Sequence, residues 1–169
     1  CSSDLTHTSG LPRLPENLQP KNMANPYADY TQKDLNSYIQ TIKNLPGKGK
    51  YAYSNLGYGM LGCALATVSG KPFEQLIREE ISKPFSMPST GIQLSAEMQK
   101  RLQGGHDASG KPVSGWDFDA MAAAGAVRSD AADMLRYLDT LMAAARTDQA
   151  SAEKLVQTAQ RDTSMQKTR

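Results

Sequence analysis

Between Asn55 and Ser69 the chain runs for the length of a helix without one charged residue, and with Gly57, Gly59 and Gly62 inside the run. Each glycine costs helix propensity. Their spacing therefore predicts a close approach to another backbone. The lack of charge predicts a helix covered on most sides. Gly70 suits the residue just past its end. A helix of this kind cannot stand alone, so the rest of the chain must supply its cover.

The flanking sequence predicts more helices. Thr31 can cap one, and Asp34 three residues on makes a pair of the capping-box type. Leu35, Tyr38, Ile39 and Ile42 then share a helical face, and Pro46-Gly47 ends it. Pro72 suits the first turn of a third helix with Phe73, Leu76, Ile77 and Ile81 as its stripe, and Pro84 stops it. Ser95 caps a short fourth helix through Leu102. Asp107-Ala108-Ser109-Gly110 reads as the turn of a short β-hairpin between Gln103–His106 and Lys111–Val113, with Trp116 and Phe118 filling core beneath it. Ser129 is expected to cap a strong helix with Asp130 and Asp133 in its first turn. Met134, Leu135, Leu138, Leu141 and Met142 form its core face. Ser151 to Arg161 reads as a weaker last helix.

The expected architecture is mainly α with one small hairpin: a single helical domain over 1–169. Residues 1–30 form a Pro-rich loop or arm, 31–161 the helical core with the hairpin near 103–118, and 162–169 a polar tail. At 169 residues one domain with a real core is within reach. The 19 basic and 17 acidic residues leave a net charge of +2, which gives no electrostatic case for nucleic acid or an anionic membrane surface. No apolar run approaches the ~18 residues of a membrane span. No leader is visible, and the chain reads as cut from something longer. Cys63 reads as a small buried thiol; a Cys1–Cys63 pairing stays open.

Tyr53-Ser54-Asn55 stands immediately before the glycine-rich helix. A phenol placed there can face a cleft beside the N–H dipoles of the helix start. Asn55 can offer a donor and an acceptor to a ligand amide. By itself the triplet is a weak signal and fits better a packed tyrosine and an asparagine that caps the helix.

The surrounding words narrow this. His7-Thr8-Ser9-Gly10-Leu11-Pro12 comes first, then Tyr53 through Gly62, then Ile81 through Gly91, then Gly105-His106-Asp107, then Gly125 through Leu135. In this order the blocks closely resemble the class C β-lactamase family, with its related D-alanyl-D-alanine carboxypeptidases and esterases. The resemblance runs from His7 to about Gln160. It implies the helical domain of a β-lactamase/transpeptidase-like fold, with the family's α/β domain absent from this chain. It implies acyl-serine chemistry on β-lactams, D-Ala-D-Ala peptides or small esters, no cofactor and no metal, and a periplasmic or outer-surface location. By the same resemblance Tyr53 is the general base and Asn55 the substrate-contacting amide. Serine is a poor nucleophile until a neighbouring base takes its proton, and a phenol serves as that base only among cationic neighbours.

Two of the family's three motifs are missing. Its Ser-x-x-Lys should precede Tyr53, yet the matches here, Ser151–Lys154 and Ser164–Lys167, follow it. Lys167-Thr168-Arg169 mimics the third motif without its glycine. The chain alone is therefore expected to be inactive, and to self-associate through the face that would meet the α/β domain. The alternative is a non-catalytic helical domain that binds a peptide or wall fragment. His7, His106 and Cys63 have no paired spacing for zinc, and Arg128 is expected to be structural.

Overall fold

The computed structural model describes residues 2–147. The glycine-rich run forms helix α3, Asn55–Ser69, and it is packed as its glycines require. A β-carbon on Gly59 would lie 2.6 Å from Met121 Sδ, and one on Gly62 would collide with Ala123 Cβ. The partner backbone is the 3-10 turn Ala122–Ala124. Burial is confined to the first half of α3, where Leu56, Gly57, Gly59 and Gly62 are covered. Leu65 is half exposed and Val68 fully so. The expectation of cover on most sides therefore fails for the second half, where the uncharged residues face outward.

Helix α2 spans Gln32–Ile39 and starts in a complete capping box: the Asp34 N–H donates to Thr31 Oγ1 while Asp34 Oδ2 accepts from the Thr31 N–H. It ends well before Pro46-Gly47. The Thr41 and Ile42 amides reach back only three residues, to Tyr38 and Ile39, tightening the last turn, and the Thr41 hydroxyl also donates to the Tyr38 carbonyl. Leu35 and Tyr38 enter the core with Leu11, Tyr27, Tyr30, Leu56, Ala120 and Met121. Complete burial of Leu35 and of Leu56 contributes about 2 kcal/mol each.

Residues before α2 are mostly irregular, as their prolines dictate, apart from one turn of helix, α1, at Ser2–Leu5. Gly10 sits at φ 80° against the backbone of Gly47 and Lys48, where a β-carbon would lie 2.6 Å from the Lys48 nitrogen. The Gly49 and Ala52 amides donate to the Thr8 and His7 carbonyls. The arm is thus laced to the segment that leads into Tyr53.

Beyond Gly70, α4 covers Phe73–Leu76 and continues as a π-helical turn, Ile77–Ser82. Helix α5 is Ala96–Arg101, capped by Ser95. The hairpin pairs β1, Gly105–His106, with β2, Pro112–Val113, antiparallel. Trp116 does not fill a core. It is half exposed and meets Tyr27 edge-on, while Phe118 stacks on Tyr27 at 4.7 Å. Helix α6 spans Ala131–Thr147. Asp130, not Ser129, caps it: Asp130 Oδ1 accepts from the Asp133 N–H at 2.9 Å. Met134, Leu135, Leu138 and Met142 are 44–61% exposed, so the periodic stripe is present but is not a core face within the described residues. The helix expected at 151–161, the tail at 162–169 and the Cys1 pairing lie outside those residues.

The later motif blocks clasp each other. Gly91 and Arg128 exchange both backbone hydrogen bonds. The fully buried Asp133 carboxylate accepts from the Ser89 N–H at 2.7 Å, from the Thr90 hydroxyl at 2.8 Å and from Arg136. Arg128 donates to the Ile92 and Trp116 carbonyls and to Asp117, the structural role expected of it.

Candidate active site

The N-terminus of α3 is built by three segments. Ser54, 1% exposed, is its cap: its Oγ accepts from the Gly57 N–H at 2.9 Å and donates to the Pro12 carbonyl at 2.7 Å. The Asn55 and Leu56 amides both donate to the Arg13 carbonyl, at 3.0 and 3.2 Å. Asn55 therefore does not cap the helix, which frees its side chain; Nδ2 donates to the Tyr27 hydroxyl at 3.4 Å. The amides at the helix start beside the phenol are thus all bonded, to Arg13 and Ser54.

Tyr53 precedes this cap in extended chain and is 47% exposed. Its hydroxyl has no hydrogen-bond partner among the described residues. The ring lies 4.4 Å from the imidazole of His7, and the Arg13 guanidinium carbon sits 5.8 Å from its centroid. Arg13 thus places a cation over the phenol ring. Tyr53 and Asn55 line one cleft of about 330 Å³ together with His7 and Tyr58. Its opposite wall is Ala123, Ala124, Gly125 and Val127, from the turn that packs into the glycines of α3. The words His7–Pro12, Tyr53–Gly62 and the start of Gly125–Leu135, far apart in the chain, meet here.

A larger hollow of about 900 Å³ lies elsewhere, between the π-helical turn and the 86–98 segment. Its arginines, Arg78 and Arg136, are already paired with Glu74 and Asp133. Neither a tyrosine nor an asparagine is among the residues that line it.

Among the described residues no three His, Cys, Asp or Glu side chains gather around a point that would hold a metal. His106 is in the hairpin, and the Cys63 thiol donates to Gln32 at 2.9 Å. Burial pushes that thiol's pKa up. The Ser-x-x-Lys matches and Lys167-Thr168-Arg169 fall outside the described residues. His7 lines the cleft, and Ser54, Arg13 and Tyr27 contact the Tyr53–Asn55 segment at its edge, yet the sequence pointed only weakly to them. Ser54 alone carried a readable signal, as a preferred cap type directly before a helix.

A mainly helical scaffold that offers a tyrosine and an asparagine across a small cleft is what the penicillin-recognising hydrolases would require of their helical part. The chain belongs to the β-lactamase family, whose profile matches residues 5–168. Over 137 residues it is 34% identical to the D-alanyl-D-alanine-carboxypeptidase/endopeptidase AmpH of Escherichia coli (strain K12), covering 79% of this chain and 34% of that protein. A solved β-lactamase/D-alanine carboxypeptidase from Yersinia pestis, complexed with citrate, superimposes with a TM-score of 0.66 at 32% identity, over 82% of this chain and 38% of that one. A β-lactamase from Sulfitobacter sp. EE-36 gives a TM-score of 0.69 at 24% identity, over 84% and 37%, and supports the fold alone. The chain spans about a third of the length of the curated relatives it matches.

Proposed function

We propose that these 169 residues are the helical part of a serine hydrolase acting on β-lactams or D-Ala-D-Ala peptides in the periplasm or at the outer cell surface. Tyr53 exchanges a proton with a serine supplied by polypeptide beyond them, and Asn55 binds the substrate amide. The observation that carries this reading is a half-exposed Tyr53, its hydroxyl unbonded among the described residues, on one cleft with the Asn55 amide. Serine acylation needs a base that can reach it, and a phenol tied to internal acceptors would not serve. Asn55 Nδ2 is held only by a long bond to Tyr27, which a substrate carbonyl can replace.

The exposed stripe of α6 fits the same reading: in the whole enzyme the α/β domain covers apolar surface that this part leaves open. No Ser-x-x-Lys precedes Tyr53 here, so the chain alone should not form an acyl-enzyme. Fluorescent penicillin tests this. The 169 residues by themselves should stay unlabelled, and stoichiometric labelling of them would overturn the division of labour.

A further inference from the structure

His7 and Tyr58 are the polar cleft residues to which that reading gives no task, and His7 is the one that touches Tyr53 and the backbone after it. Its ring is 9% exposed, and its backbone is held at φ 54°, a left-handed conformation uncommon for a residue with a β-carbon. Its Nδ1 accepts the Ser54 backbone N–H at 3.1 Å. A backbone N–H can only donate, so Nδ1 carries no proton and the ring proton must sit on Nε2. The same ring lies 4.4 Å from Tyr53, 5.0 Å from Tyr58 and 5.9 Å from Tyr51. One imidazole thus grips the backbone immediately after Tyr53 and the face of its phenol ring together.

We propose that His7 is a positioning residue, locked as the neutral Nε2–H tautomer, which holds Tyr53 at the cleft edge through the Ser54 amide and ring contact. Its role rests on reading Tyr53 as the proton-exchanging group. The ordering matters because the Tyr53 hydroxyl has no hydrogen bond among the described residues to fix the phenol, and a small misplacement of a reacting group costs rate steeply. Protonation of His7 puts a proton on Nδ1, turns it from acceptor to donor, and breaks the link to Ser54. The groups around the ring are Tyr51 and Tyr53 from the segment before α3 and Tyr58 from α3. Charged groups packed against those elements are Arg13, over the Tyr53 ring, and Asp4 of α1, whose Oδ1 is 3.6 Å from where a Gly57 β-carbon would stand.

Nitrogen NMR on histidine-labelled protein reads the tautomer directly; there are two histidines, His7 and His106, and His106→Asn assigns them. At neutral pH the His7 Nδ1 signal should be that of an unprotonated nitrogen and Nε2 that of a protonated one. The reverse tautomer, or an even mixture, overturns the proposal. Hydrogen exchange at the Ser54 amide supplies the second readout. His7→Phe keeps a ring and loses the acceptor, and should speed that exchange by about tenfold. His7→Asn places an oxygen near the Nδ1 position, tolerates the left-handed backbone, and should hold exchange near the wild-type rate. Acidification should release the amide in the wild type and not in His7→Asn. Equal loosening in both variants, or no response to acid in the wild type, leaves His7 only structural and contradicts the proposal. These readouts do not depend on the chemistry of Tyr53. A failure of the proton-exchange reading would appear in acylation by Tyr53→Phe and leave the nitrogen signals unchanged.

Discussion

Ser54 Oγ lies 2.9 Å from the Gly57 nitrogen and 2.7 Å from the Pro12 carbonyl oxygen, so a single buried hydroxyl both starts α3 and ties the Pro-rich arm to it. Ser54→Ala removes the cap and strands the Pro12 carbonyl. The expected loss is about 2 kcal/mol, combining a cap and an unsatisfied buried acceptor. Thermal unfolding checks this. An unchanged midpoint would mean the arm is not held through Ser54.

Gly62 and Ala123 are in contact across the α3 interface, and the Ala122–Ala124 turn forms one wall of the cleft. Gly62→Ala should cost about 1–3 kcal/mol through overpacking. Adding Ala123→Gly makes room and should return much of the loss in a double-mutant cycle. Gly70→Ala makes a useful contrast. No atom lies within 4 Å of a β-carbon there, but its φ of 65° should still cost about 1 kcal/mol through backbone strain.

Stability toward acid should show the start of α6. The Asp133 N–H, with the Ser89 hydroxyl and Arg101, lowers the Asp130 carboxyl from its ordinary 3.8 to about 2. A carboxylate depressed by folding stabilises fully above its unfolded value and loses that contribution as pH falls toward its folded one. Asp130→Asn keeps a good capping residue and removes the charge. Denaturation midpoints of wild type and variant should differ by a constant amount above about pH 5 and converge between about pH 4 and 2. A gap that persists to pH 2 would contradict this.

Exposure of Leu135 and Leu138 at 61% and 50% leaves the apolar stripe of α6 open within the described residues. The 169-residue chain should self-associate through such a stripe. Sedimentation velocity over a concentration series should show association that Leu135→Glu with Leu138→Glu abolishes. A wild-type chain that stays strictly monomeric at high concentration would contradict it.

Local physics explains which features were legible beforehand. Thr31 with Asp34, Gly70 and the Asp107–Gly110 turn each specify their conformation through neighbours a few residues away, and all three occur as read. The spacing of Gly59 and Gly62 announced a close contact but could not name Met121 and Ala123 as its other side. The α6 stripe was legible as a period; what covers a period is a tertiary matter, and within the described residues the stripe is not a core face. His7 is the clearest limit. Its bond to Ser54 spans 47 positions, and no periodicity links a loop histidine to a backbone amide that far away. Tyr53 and Asn55 were singled out by the order of the motif blocks, and folding brings both onto one cleft.

Central to this account is a phenol at position 53 that trades a proton with a serine from outside these residues. The most direct measurement is the acylation rate by fluorescent penicillin of the gene product whose reading frame contains this chain, compared with its Tyr53→Phe variant. The account predicts labelling of the parent and a rate at least about 100-fold lower in the variant, with little change in unfolding temperature because the hydroxyl bonds to nothing among the described residues. Labelling of Tyr53→Phe at the parent rate would contradict it.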